Sequence, residues 1–466
     1  MPAAADTEQQ PQLSGMDASS SPATLLLQLH GPALATLQLE PQETEMIMRL
    51  PGVIVVPALS GELSTGDPLL PRALLQSDSR GAVIRLPWEY RLPVHYQRSA
   101  TGLEVTFEKL FFEETGCQLA PGIRIREFRR GTLEGVIKAW AFLVNPDLAE
   151  VRPVQARRAD MAQPDLETVS EMARSVRATA ALNGGFFSPR DRIPLGLLFI
   201  DGELIAGPLY RRSAINLTAG QINIDRPQVL PWIQLPGGES AEVDLMNLPP
   251  QEGSLGLYTT TWGARTGTVA RQSSYEVAVA DNGTVLGVGV ADLGIPYGGY
   301  VLSASGSRGR WLASRLKRGD RLKIHHGIDE FWEGSTQALG GGPLLVRDGV
   351  VQVAQDERFR PDVMLGKAAR TAIGIASDGT IILLGVAGPL RGYSSGISLI
   401  DLAAWLVELG AQAALNLDGG SSTTIWAAGA ILNRPANQWE RPVASALAII
   451  PHQRALAPPQ ARLDNQ

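Results

Sequence analysis

The sequence predicts an α+β protein: mostly antiparallel sheets with a few packed helices, preceded by a smaller β-rich region. Three observations predict it. Asp-Gly and Asn-Gly dipeptides recur between apolar or alternating runs, two apolar segments of helical period carry helix-start signatures, and each of those segments leads into an Ala-rich strand. With 466 residues, 44% hydrophobic and 19% charged, the chain can bury a large core, enough for two or three domains.

Residues 1–24, rich in Ala, Gln, Pro and Ser, read as a disordered leader and lack the basic-then-apolar order of a secretory signal. Residues 25–124 form the β-rich region, with apolar or alternating runs at 25–29, 53–56, 82–86 and 102–107 broken by Pro and Gly. Trp88 and Tyr90 there read as aromatic packing on a sheet rather than as a ligand-binding edge.

The main domain is placed at 125–455 and a flexible tail at 456–466. Within the domain, Asp201-Gly202, Asn282-Gly283, Asp348-Gly349 and Asp378-Gly379 each separate two strand-like runs, which implies hairpins. One helix starts at Thr168, where Glu171 completes a capping box and Val169, Met172, Ala173 and Val176 share a face. A second starts at Ser398 with Asp401 three residues on, turns Leu399, Leu402, Ala403, Leu406 and Leu409 inward, and is stopped by Gly410. Each helix is followed by the same four letters: Ala180-Ala181-Leu182-Asn183 and Ala413-Ala414-Leu415-Asn416. This weak internal duplication is expected to bring two Asn-bearing, Gly-rich strand ends together.

Composition removes several classes of function. The 41 basic and 47 acidic side chains give a net charge of −6, and no Lys/Arg run tracks a phosphate backbone, so nucleic acid is not an expected partner. No apolar run is long enough for a transmembrane segment. The single cysteine, Cys117, allows neither an intrachain disulfide nor a Cys-based zinc cluster; it reads as a small buried hydrophobe, with Glu113 and Glu114 disfavouring a thiolate. His30, His95, His325, His326 and His452 show no metal-ligand spacing, and the adjacent His325 and His326 read as structural residues of a strand, facing opposite ways.

The polar residues that could carry chemistry collect at the strand ends. Asn183-Gly184-Gly185-Phe186-Phe187 offers an amide donor and acceptor, close backbone approach and two aromatic walls. Asn416-Leu417-Asp418-Gly419-Gly420-Ser421-Ser422-Thr423-Thr424 puts Asn416 and Asp418 on one side of an extended strand beside four hydroxyl residues. Gly340-Gly341-Gly342-Pro343 permits a phosphate-cradling nest, and Arg370, ahead of Thr371, is the best bidentate phosphate clamp.

The order N-G-G-F-F (183–187), G-G-G-P-L (340–344), R-T-A-I-G (370–374), Ser394 and Gly396 before a helix, and N-L-D-G-G-S-S (416–422) resembles the phosphodiester glycosidase family over roughly residues 125–450. The resemblance implies a compact α+β fold, hydrolysis of a glycosyl phosphodiester of the N-acetylglucosamine-1-phosphodiester kind, and an extracellular or periplasmic location. The chain alone, without a signal, leaves the cytoplasm open. Carried over by position, the site is Asn183, Gly184, Gly185, Arg370, Asn416, Asp418, Gly419 and Gly420. Ser421 stands where the family often has a third glycine, and Ala387 where it has an acidic residue before Gly388.

On this reading Arg370 and the backbone of Gly341, Gly342 and the other glycines hold phosphate, and Asn183 and Asn416 position the substrate. Thr371 and Ser421 line the site, and Asp418 is nucleophile, base or electrostatic stabiliser. A calcium or magnesium ion held by Asp418 stays open, with no cofactor otherwise expected. Two rivals remain at this stage: a non-catalytic polysaccharide or cell-wall sugar-phosphate binder, and a phosphodiesterase acting on non-sugar esters. The oligomeric state is not readable.

Overall fold

The computed structural model describes residues 11–31, 36–156, 165–227, 231–248, 250–325 and 332–452. The expected tail at 456–466, the leader's first ten residues and His326 lie outside them. The chain divides into two compact units: 1–115 with 127–139 and 386–396, and 116–126 with 140–385 and 397–466.

The first unit is built from period-two alternation. Strand Thr24–His30 turns Leu25, Leu27 and Leu29 inward, and its antiparallel partner Gly102–Glu108 sets Phe107, Val105 and Leu103 opposite them. A second sheet runs in the order Gln38–Pro41, Glu45–Pro51, Gly81–Pro87, Arg72–Asp78, Gly61–Ser64. Both sheets contribute to one apolar cluster that includes Met48, Ile84 and Trp88, each buried Leu or Ile contributing about 2 kcal/mol. Trp88 is fully buried and donates its indole N–H to the Glu43 carbonyl at 3.1 Å, the packing role expected of it.

The leader needs correction where it is described. Gly15–Ser20 is a strand paired with Thr24–His30, and Leu13 is fully buried. Its polarity fits an edge position, and Ser20 is held by a buried pair: its hydroxyl donates to Asp67 at 2.5 Å, while Lys109 Nζ reaches Asp67 at 2.6 Å.

In the second unit helix Val169–Ser175 starts at a complete capping box formed by Thr168 and Glu171, and buries Val169, Met172 and Ala173. Helix Leu399–Glu408 starts where the Ser398 hydroxyl accepts from the Asp401 N–H, and it buries Leu399, Leu402, Ala403, Trp405 and Leu406. All four Gly-containing turns fall where expected; Asp201 and Asp348 take positive φ, 52° and 51°, before their glycines. Gly283 bonds back to the Ala280 carbonyl and Gly379 to that of Ala376.

Helix content is lower than expected. The described residues hold four α-helices of five to ten residues, two of them (Gly306–Arg315 and Pro361–Leu365) unanticipated, against many antiparallel strands. The architecture is therefore mostly β. Cys117 is exposed on strand Phe112–Ala120, whose residues are largely solvent-facing, so the expectation of burial fails.

Two sheets of this unit matter for the site. One runs Ala149–Gln155, Ser445–Pro451, Ala180–Asn183, Ile425–Ala427, Ala430–Ile431; the other includes the run Arg370–Ala376, Ala411–Asn416, Leu344–Arg347, Val350–Val351.

Candidate functional site

The two Ala-rich strands end side by side. Asn183 closes its strand between Ser445–Pro451 and Ile425–Ala427, and Asn416 closes its own two residues before Asp418. The joint is made by hydrogen bonds: Asn183 Nδ2 donates to the Asp418 carbonyl at 2.7 Å, and the Asp418 N–H donates to the Gly184 carbonyl at 3.3 Å. Thr371 Oγ1 donates to Asn183 Oδ1 at 2.6 Å, while the Leu417 N–H donates to the Thr371 carbonyl at 2.8 Å. Asn183 is buried, with both ends of its amide taken by protein. Its part is to fix where the Asp418 backbone lies.

Asp418 sits recessed but partly accessible. Its Oδ1 accepts the Gly419 N–H at 3.0 Å. Burial is the dominant influence and pushes the carboxyl up to about 6, against the opposing pull of the Ser422 hydroxyl, the Gly419 N–H and the charge of Arg441. A carboxyl near 6 exchanges its proton in the physiological range, as acids and bases of active sites do.

Arg441 is the cation that sequence reasoning missed. Its Nη1 donates to Ser421 Oγ at 2.9 Å and to Ser422 Oγ at 3.3 Å, and its guanidinium lies 5.0 Å from the Phe187 ring centroid. No motif surrounds it; it arrives through the pairing of Ser445–Pro451 with Ala180–Asn183. Arg370, the expected clamp, is buried with no carboxylate partner among the described residues. Nη2 donates to the carbonyls of Val363 (2.9 Å) and Gly366 (2.6 Å) and Nε to that of Ile397 (3.4 Å). Burial lowers its pKa from the ordinary arginine value. With Nε and Nη2 committed, a bidentate fork is not free.

The glycines also do a different job from the one expected. The N–H groups of Gly184, Gly341, Gly342 and Gly420 donate to the carbonyls of Ser445, Ser213, Asn416 and Ala369, so the Gly340–Gly342 run is no open nest. Their lack of side chains permits close packing: a Cβ on Gly184 would lie 2.5 Å from Ser445 Oγ. The amides of Gly185 and Ser421 have no acceptor among the described residues.

Asn416 is buried and donates through Nδ2 to the carbonyls of Gly342 and Leu417, both at 2.8 Å, while its Oδ1 has no partner. Thr423 Oγ1, Thr424 Oγ1 and Ser445 Oγ are likewise buried without partners. Thr424 is tied to Asn183, to whose Oδ1 its N–H donates at 3.4 Å, and Ser445 lies against Gly184. Unsatisfied polar atoms concentrated at one place mark where a hydroxyl-rich ligand or ordered water completes the bonding.

Among the described residues no group of three or more His, Cys, Asp or Glu converges as a metal cage. His325 stacks on Trp232 with ring centroids 3.7 Å apart, His30 pairs with Asp17, His95 with Glu108, and His452 meets the Pro146 carbonyl. Ser394 and Gly396 fall in the first unit, where the Ser394 hydroxyl donates to the carbonyl of Ala387.

Residues 273–450 match the family model of phosphodiester glycosidases, a span that includes Arg370, Asn416, Asp418 and Arg441 but not Asn183. Over 138 residues the chain is 29% identical to a bovine N-acetylglucosamine-1-phosphodiester alpha-N-acetylglucosaminidase, covering 26% of this chain and about a quarter (26%) of that protein. Two solved structures share the fold. A hypothetical protein from Synechocystis is 24% identical over 95% of this chain and 81% of its own, with a TM-score of 0.67. A candidate exported protein from Burkholderia pseudomallei K96243 is 19% identical over 73% of this chain and 97% of its own, with a TM-score of 0.63. Among the described residues no helix is long and apolar enough to cross a membrane.

Proposed function

We propose, from the resemblance of this chain to the phosphodiester glycosidases through residues 273–450, that it hydrolyses a glycosyl phosphodiester of the N-acetylglucosamine-1-phosphodiester kind, with Asp418 as its catalytic carboxylate. The observation that carries the reading is Asp418 itself, raised to about 6, tied through its backbone to Asn183 and within the field of Arg441, with unsatisfied hydroxyls of Thr424 and Ser445 at Asn183 and Gly184.

In this reading water attacks the anomeric carbon, the carbon–oxygen bond to phosphate breaks, the phosphate monoester leaves with the bonding electrons, and the proton released by the attacking water passes to solvent. The ionised Asp418 stabilises the positive charge that builds on the sugar ring. Phosphate leaves readily, which lightens the demand for a general acid. Arg441 and the uncommitted amides of Gly185 and Ser421 serve the phosphate. Arg370 contributes its charge and Nη1, and Asn416 Oδ1 and the unpaired hydroxyls serve the sugar. Asn183, Thr371, Gly184, Gly341, Gly342, Gly419 and Gly420 hold the frame. We retain 125–455 as the catalytic domain and assign the enzyme to an extracytoplasmic compartment, following the same resemblance.

The test is release of free sugar from an α-N-acetylglucosaminyl phosphodiester by the wild type and Asp418→Asn, with folding checked by thermal melting. The expected loss in the variant is about 100-fold or more. Saturable binding without sugar release would replace hydrolysis with recognition, and cleavage of aryl phosphodiesters alone would make the chain a phosphodiesterase.

A further inference from the structure

A second cationic feature of the same unit has no part in that chemistry. Tyr210, Arg211, Arg226, Asp356 and Arg358 line a cavity of about 400 Å³. Arg226 is spent within the protein: its two terminal nitrogens take both oxygens of Asp356, at 2.6 and 2.5 Å. The rest of the charged lining is Arg211, whose charge also acts on Asp356, and Arg358, which leaves the cavity with three guanidinium groups against one carboxylate.

Two independent features show this lining to be built. Tyr210, Arg211 and Arg358 hold φ of 54°, 54° and 55°, a left-handed conformation uncommon for residues with a side chain, and three such residues face one cavity. Arg358 and its neighbour Arg212 also rest on aromatic rings. Arg358 lies 5.5 Å from the Tyr210 centroid, while Arg212 behind it lies 5.6 Å from Tyr210 and 3.8 Å from Phe359.

Phe359, next in sequence to Arg358, connects the segment that lines the cavity to the candidate site. Phe359 packs on Phe186 with centroids 5.2 Å apart, and Phe186 follows Gly185 directly. On the other side, a side chain at Gly342 would strike Phe359 and Glu357, and the Gly342 N–H is bonded to the Asn416 carbonyl at 2.7 Å. The Phe186–Phe359 pair therefore joins the strand end at Gly185 to the segment that carries Arg358.

We propose that this cavity is a second anion subsite, which holds a phosphate-class oxyanion carried on the aglycone of the substrate, on the far side of the Phe186–Phe359 contact from Gly185. Resting on the hydrolase reading above, it narrows the substrate to a glycosyl phosphodiester whose aglycone bears a further phosphate. Guanidinium groups match the geometry and charge of such an oxyanion.

The test has a binding arm and a turnover arm. Calorimetry compares propane-1,3-diol bisphosphate with propyl phosphate on the wild-type chain and on Arg211→Asn/Arg358→Asn, asparagine being chosen because it tolerates positive φ. The wild type is expected to bind the bisphosphate at least about tenfold tighter than the monophosphate, and the double variant, melting as the wild type does, is expected to lose that preference. Equal affinities in the wild type, or a preference that survives in the variant, would overturn the subsite. In the turnover arm an N-acetylglucosaminyl phosphodiester of propanol is compared with the same ester carrying a terminal phosphate. The ratio of their kcat/KM values is expected to favour the phosphorylated substrate in the wild type and to fall toward one in the variant. Failure to turn over either substrate counts against the hydrolase reading alone, because the binding arm needs no chemistry.

Discussion

Asp418 is a carboxyl whose ionisation the fold opposes. Its pKa is raised from 3.8 to about 6, so the folded state favours the protonated form. The stability this group contributes is complete below pH 3.8 and is lost as pH rises through about 6. Asp418→Asn, which removes the charge and keeps the shape, is therefore expected to melt at or above the wild-type temperature at pH 7 while losing activity. If kcat/KM depends on the ionised carboxylate, it rises with pH through about 6 in the wild type, and that limb disappears from the residual activity of the variant. A variant that melts several degrees lower at pH 7 would make Asp418 a structural residue. Asn183 behaves oppositely: Asn183→Ala strips the partners from Thr371 Oγ1 and the Asp418 carbonyl, at a cost of about 3 kcal/mol read from urea unfolding. Both residues stood out in the sequence because glycines and hydroxyl residues crowd around them. Arg441 did not, since an isolated arginine carries no pattern and is brought to the site only by strand pairing.

The elements were most legible where local chemistry dictates backbone geometry. A capping box, Gly-containing turns and apolar period are each written within a few residues, so both capped helices and all four turns fall where expected. Helix Gly306–Arg315 escaped because Ser305 makes no side-chain cap and glycine opens the helix; Pro361–Leu365 is a five-residue turn without an apolar face. The leader strand escaped because its partner, not its composition, makes it a strand. The glycines misled in another way. Sequence shows that a backbone can come close to something, but not whether that something is a ligand or, as here, another strand. Thr168→Ala tests the element scale: removing the cap should lower stability by about 1 kcal/mol, seen as a lower urea midpoint with an unchanged slope. A change in slope would mean that the cap also organises the unfolded ensemble or that unfolding has ceased to be two-state.

At the scale of the whole chain, each compact unit is assembled from three separate stretches of sequence, an arrangement that a linear reading of texture does not encode. What the linear order does encode is the sequence of motifs, four of which lie at strand ends around the place where two sheets meet at Asn183 and Asp418, while Ser394 and Gly396 fall in the other unit. The meeting places the Asp418 carboxylate within the field of Arg441. That arrangement bears on which atom water attacks. A single carboxylate next to the sugar can stabilise an oxocarbenium-like centre, whereas attack at phosphorus depends on cations gathered around the phosphate and on activation of the incoming water. Turnover in ¹⁸O-water is accordingly expected to put the label in the anomeric hydroxyl of the released sugar and none in the phosphate monoester, as read by mass spectrometry of both products. Label in the phosphate would move the reaction to phosphorus, leave Asp418 as the base that activates water, and recast Arg370 and Arg441 as the groups that stabilise the transferring phosphoryl centre.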